Sequence, residues 1–112
     1  MNITVQNLDH VFVAKLEGEI DAKTAPTITE QVLPLMKPGS KILMDLTLVS
    51  YMSSAGLRSL LSIYRQSTAK DSQLVLVGLS EELKDTMSMT GFLDFFKTAD
   101  TVDAGVEALK SS

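Results

Sequence analysis

The dominant pattern in the chain runs from Ile42 to Tyr64. Ile42, Leu43 and Met44 make an apolar run that ends in Asp45-Leu46, and a short polar link leads to Ser53-Ser54. Leu57, Leu60, Leu61 and Tyr64 then fall at i, i+3, i+4 and i+7, one face of a helix. The pattern predicts a strand over residues 41–46, a turn, and a helix that starts at the two serines and runs to Thr68 or Ala69. Gln73 to Val77 holds a second near-continuous apolar run, and both runs suit strands covered on both faces. Strand, helix and strand of these lengths predict a parallel pair joined by a right-handed crossover.

Upstream, Ile3 and Val5 alternate with polar neighbours, Leu8-Asp9-His10 reads as a turn, and Val11 to Leu16 is rich in β-formers. A β-hairpin is expected there. Asp21 is placed as the N-cap of a helix starting at Ala22, with Ala25, Ile28, Val32, Leu35 and Met36 as its apolar stripe. Pro34 cannot donate in mid-helix, so a kink or early end is expected, and Pro38-Gly39 closes the segment. Downstream, Ser80 followed by Glu81 and Glu82 predicts a capped helix with Leu83 and Met87 inward and Gly91 as its stop. Phe95-Phe96-Lys97 is expected to form a short edge strand. Thr101 caps a last helix whose apolar face is Val102, Val106 and Leu109. The expected fold is α/β, a mixed β-sheet of four to five strands flanked by about four helices, built ββαβαβα(β)α.

Composition narrows this picture by exclusion. The 112 residues, 45% of them hydrophobic, suit a single domain spanning 1–112 with one core. There is no cysteine, which removes disulfides and thiolate metal sites, and the one histidine, His10, would leave any metal to carboxylates. No metal and no cofactor is expected. The net charge is -4 and the lysines and arginines are scattered, so there is no basic stripe for nucleic acid. No apolar run approaches a membrane span. The Met-Asn-Ile-Thr start lacks the basic and apolar segments of a signal peptide, so the expected compartment is the cytoplasm.

The serine pair admits two readings. A serine at a helix N-terminus caps an otherwise unpaired N–H of the first turn. The same place also tolerates a phosphate, because the helix dipole and free N–H groups favour negative charge. Ala55 and Gly56 keep the first turn small enough for a backbone, a substrate or a protein to approach. In open α/β sheets, sites gather beyond the carboxyl ends of strands, where Ser53-Ser54 would follow a strand ending at Leu46. Read locally, Arg58 is a solvated helix charge and Asp21 a plain cap.

An enzyme fits less well. Met52-Ser53-Ser54-Ala55-Gly56 falls one glycine short of a nucleophile elbow, the single histidine lies in the first hairpin turn, and no HGGG-like oxyanion loop exists. No G-x-x-x-x-G-K-[ST] or G-x-G-x-x-G loop supports nucleotide binding.

Three segments, in order along the whole chain, resemble the STAS domain, specifically the single-domain bacterial anti-sigma-factor antagonists. Gly18-Glu19-Ile20-Asp21 with Thr24-Ala25 resembles the family's G-E-[IL]-D…T-A segment. Asp45-Leu46 with Tyr51-Met52-Ser53-Ser54-Ala55-Gly56-Leu57 resembles its D-L…[FY]-[MI]-D-S-[SA]-G-L segment. Met89-Thr90-Gly91-Phe92 resembles its M-[ST]-G-[LF] segment.

The resemblance implies a STAS-like sheet and a protein-based switch. The unmodified antagonist binds an anti-sigma factor, typically a serine kinase, which phosphorylates the serine after the motif's aspartate; a serine phosphatase reverses this. Carried onto this chain, the phosphoacceptor is Ser54. Ser53 stands where the motif has aspartate, which makes it a second candidate hydroxyl and removes a carboxylate. Asp21, Thr24, Ser53, Ser54 and Arg58 are the implied partner-binding residues. The alternative is a STAS module that is never phosphorylated, a scaffold of a stress-signalling complex or an accessory subunit of a membrane transporter.

Overall fold

Asp9 and His10 carry positive φ angles of 57° and 70°. That backbone is the type I′ turn of a two-residue hairpin, and aspartate and histidine are among the few non-glycine residues that enter it readily. It joins β1 (Asn2–Leu8) to β2 (Val11–Ile20) antiparallel, with Leu8 opposite Val11. The computed structural model describes residues 1–111. After the hairpin come α1 (Ala25–Val32), β3 (Lys41–Met52), α2 (Ser54–Ala69), β4 (Gln73–Val77), α3 (Glu81–Met89), β5 (Lys97–Ala99) and α4 (Val102–Lys110). The strands form one five-stranded sheet in the order β1-β2-β3-β4-β5, parallel throughout except for the hairpin.

The sheet is covered on both faces. α1, α2 and α3 bury Ile28, Leu60 and Met87 against one side, with Leu16, Met44 and Leu76 beneath them. α4 alone covers part of the other, where Val106 and Leu109 pack on Val11, Leu43 and Val75. Alternate residues of β3 and β4 therefore meet different helices, which is why both strands read as uninterrupted apolar runs.

The structure corrects four boundaries. β3 does not end at Leu46 but runs to Met52, and β2 runs on to Ile20 beside it. Between Lys15 and Glu17, β3 advances from Asp45 to Leu48; between Gly18 and Glu19 it advances from Val49 to Tyr51. Each step inserts one extra β3 residue, a bulge that locally raises the twist. The third correction is α1, which begins at Ala25 rather than Ala22. The Ala25 N–H bonds the Asp21 carbonyl at 2.9 Å, but Pro26 has no N–H for the carbonyl of Ala22, so the ladder is interrupted before it starts. The early end at Pro34 is as expected: α1 stops at Val32 and a 3-10 turn covers Leu33–Leu35.

The last strand also lies later than expected, at Lys97–Ala99. Phe92–Phe95 winds into a 3-10 turn after Gly91, whose φ of 77° ends α3. Phe96 turns inward, its ring edge-on to Tyr64 with centroids 5.3 Å apart. The serine and threonine caps are where the sequence placed them: Ser80 and Thr101 accept N–H groups from Leu83 and Ala104, both at 3.1 Å.

Candidate functional site: the tip of α2

Ser53 and Ser54 have different jobs. Ser53 holds extended backbone (φ -80°, ψ 171°) and is the N-cap of α2. Its Oγ accepts the Gly56 N–H at 3.1 Å and its carbonyl accepts the Leu57 N–H at 2.9 Å. The side chain is half-buried. Ser54 is the first residue of the helix and exposed, and its hydroxyl has no hydrogen-bond partner among the described residues. One oxygen is committed to the fold; its neighbour is free and faces solvent. Ser53 keeps the capping chemistry that an aspartate in its place would have supplied, without the charge.

The tip is anchored from the strand beside it. The Ser53 N–H donates to the Ile20 carbonyl at 2.9 Å, so the end of β2 holds the start of α2. Gly56 lies hard against the same residue. A Cβ there would fall 2.5 Å from the Ile20 oxygen and 2.9 Å from its Cγ2. Only a glycine lets helix and strand approach this closely.

Asp21 and Thr24 sit in the turn that follows Ile20, and they lock each other. The Asp21 Oδ1 accepts the N–H groups of Thr24 and Lys23, at 3.0 and 2.9 Å. The Thr24 hydroxyl accepts the Asp21 N–H at 3.0 Å and donates to the Glu19 carbonyl at 2.9 Å. This is the reciprocal logic of a capping box. The expected capping role of Asp21 is kept, but it caps the turn leading into α1, while Thr24 stands at the helix boundary itself. The Thr24 N–H, helped by that of Lys23, holds the Asp21 carboxyl below the usual carboxylate range against the opposing effect of burial.

The structure thus gathers all five predicted residues around the ends of β2 and α2. Asp21 and Thr24 form one turn, and Ile20 joins it to Ser53 and Ser54. Arg58 is exposed one helical turn beyond Ser54, with no ion pair among the described residues. The motif residue Asp45 does something different: it is buried in β3 and accepts the N–H and hydroxyl of Thr47, at 3.0 and 2.6 Å.

Sequence reasoning expected a close neighbour at Gly56 but did not identify it as the Ile20 carbonyl, and it missed the exposed pair Leu48 and Tyr51. His10 occupies the hairpin turn at the opposite end of β2 from the serines. Ten residues of strand put it about 30 Å away, out of reach of either hydroxyl. Among the described residues no cluster of histidine, aspartate and glutamate could hold a metal ion, and no helix is long and apolar enough to cross a membrane.

The STAS domain family matches residues 2–105. The anti-sigma-B factor antagonist of Listeria monocytogenes is 38% identical over 104 residues, covering 87% of this chain and 89% of that protein. An anti-sigma factor antagonist from Mycobacterium paratuberculosis shares the fold with a TM-score of 0.83, at 24% identity over 97% of this chain and 93% of its own. The Bacillus cell-fate determinant SpoIIAA, in its phosphorylated form, superposes with a TM-score of 0.71 at 18% identity, over 96% of this chain and 99% of that one. With a match this long, and the same sheet and helices in solved relatives, this chain belongs to the STAS domain family.

Proposed function

We propose that this protein is an anti-sigma-factor antagonist, a single domain over residues 1–112 that acts in the cytoplasm and is switched off by phosphorylation of Ser54. Its partner is an anti-sigma factor that is itself a serine kinase, and a serine phosphatase resets the switch. The observation that carries this reading is the division of labour at the tip of α2: the exposed, unbonded hydroxyl of Ser54 beside the committed oxygen of Ser53. The Listeria relative, an anti-sigma-B factor antagonist, supports it.

The physics of the switch follows from charge. A phosphate adds about -1.5 to -2 charges. At the tip of α2 the helix dipole repays about 0.3–1 kcal/mol, so the fold tolerates it. In a partner interface the same unpaired dianion costs on the order of several kcal/mol to desolvate, and each 1.4 kcal/mol or so is tenfold in affinity. Binding responds where folding does not. The chain needs no catalytic group of its own, because the kinase brings the chemistry to an accessible hydroxyl.

The test is to recover the native protein with its partners and read partner identity and phosphosite by mass spectrometry. An anti-sigma kinase together with phosphate on Ser54 is the expected result. A kinase partner with neither serine modified would instead favour the unphosphorylated scaffold.

A further inference from the structure

The register of β2 and β3 places four side chains together on the sheet face away from α2. Glu17 lies opposite Leu48, and Glu19 opposite Tyr51. Val49 and Met52, which alternate with them, are buried on the other face. α4 covers this face only lower down, and β4 ends at Val77 opposite Asp45, before Leu48 is reached. Leu48 is therefore 45% exposed and Tyr51 54%. Glu17 and Glu19 are exposed beside them, and neither forms an ion pair among the described residues.

We propose that Leu48 and Tyr51, bordered by Glu17 and Glu19, are the docking patch for the anti-sigma partner, which presents an apolar pocket rimmed by lysine or arginine. This rests on the function proposed above and adds to it a second contact area, outside the serine-bearing helix. Scattered exposed apolar residues need no explanation. These two lie three residues apart on one strand, at most about 10 Å, opposite the alternate residues Glu17 and Glu19, and they are rigidly continuous with the switch. Tyr51 precedes Ser54 by three residues, and the strand carrying Glu19 ends at the Ile20 carbonyl that holds Ser53. An exposed tyrosine beside a leucine is the composition of an interface anchor.

Charge selects the occupant. A two-fold pairing centred on this patch brings Glu17 and Glu19 of both copies close together, with the exposed Lys15 on the same side of β2 as the one nearby cation of that strand, and an anionic membrane is repelled by the same carboxylates. A basic-rimmed protein gains from both. The patch also lies away from the Ser54 hydroxyl, so it stays available in both states of the switch: the phosphate weakens binding without erasing recognition.

The test uses the full chain in its own host. A benzophenone amino acid replaces Tyr51 in one strain and Arg58 in another, and crosslinked partners are identified by mass spectrometry. The expected result is the same anti-sigma factor at both positions. With that partner purified, Tyr51→Ser lowers affinity about tenfold or more, and Glu17→Gln with Glu19→Gln flattens its salt dependence. Leu48→Thr, a strand-compatible change, provides the same readout if Tyr51→Ser fails to fold. Adducts at position 58 alone, with affinity unchanged in the Tyr51 and Leu48 variants, overturn the docking patch and leave the proposed function standing. Adducts at neither position, or only between copies of this chain, overturn both. A common partner that is not an anti-sigma factor overturns the proposed function and the assigned occupant with it.

Discussion

The carbonyl oxygen of Ile20 accepts the backbone N–H of Ser53 at 2.9 Å, and the same oxygen would meet a Cβ on Gly56 at 2.5 Å. One atom at the end of β2 therefore fixes both the position and the spacing of the first turn of α2. Ile20 is fully buried in the main core, so the tip of the helix inherits the rigidity of the sheet. A hydroxyl offered to an enzyme from such a tip is already in place before the enzyme arrives.

Gly56→Ala tests the spacing. In an open helix this change gains up to about 1 kcal/mol from propensity. Here the new methyl group meets backbone that cannot swing away, so net destabilisation of about 1–3 kcal/mol is expected. Urea melts would show a lower midpoint with an unchanged slope. A midpoint equal to or above that of the parent would mean that helix and strand can separate freely.

The two serines are expected to respond oppositely. Ser53→Ala removes a cap worth about 1 kcal/mol and leaves the Ser54 hydroxyl in place. Stability falls while phosphate incorporation by the proposed kinase partner persists. Ser54→Ala changes an exposed, unbonded group, so stability moves by less than about 0.5 kcal/mol and incorporation is lost. Phosphate transfer to the Ser54→Ala variant at the parental rate would make Ser53 the acceptor.

What was legible in the chain was what is local. The stripe from Leu57 to Tyr64, a serine cap at the Ser53-Ser54 pair and the caps at Ser80 and Thr101 depend on residues within a turn or two of one another, and each formed as expected. The second half of β3 was not legible because its two bulges space the buried residues Leu46, Val49 and Met52 by three. A strand pattern has period two, so the segment read as a link. The start of α1 was misplaced because a missing donor at Pro26 acts on a carbonyl four residues earlier. The division between Ser53 and Ser54 escaped for a different reason: two adjacent hydroxyls are alike in sequence, and only the backbone angles at the cap decide which turns inward.

Acid should unpick the turn beside the switch. Hydrogen bonds from Thr24 and then Lys23 lower the Asp21 pKa in the folded state. A lowered folded value means that Asp21 contributes its stability above the ordinary carboxylate range and loses it as pH falls through the folded pKa. Asp9 behaves alike, because Lys110 donates to it at 2.6 Å. Lys110 itself is raised by the same bond, and its contribution is lost only as pH climbs through that raised value. Melts from pH 7 down to about 2 should show Asp21→Asn losing less stability on acidification than the parent, in the window below about pH 5. Identical acid profiles would mean that the turn makes no such contribution.

Arg58 offers the last test, on the phosphorylated protein. It stands four residues after Ser54 on the exposed side of α2, the spacing at which helical side chains meet, with the anion on the N-terminal side. In the unmodified chain it has no ion-pair partner among the described residues. A phosphate on Ser54 supplies one, and at a solvent-exposed helix site such a pair is worth about 0.3–0.5 kcal/mol. The dianion is favoured over the monoanion, so the second phosphate titration, followed by phosphorus NMR, should fall at lower pH in the parent than in Arg58→Gln, by a few tenths of a pH unit. Salt should narrow the gap, since both groups lie in water. The thermal midpoint of the phosphorylated parent should stay level with or slightly above that of the unmodified chain. If the two phosphate titrations coincide at low salt, Arg58 does not touch the phosphate.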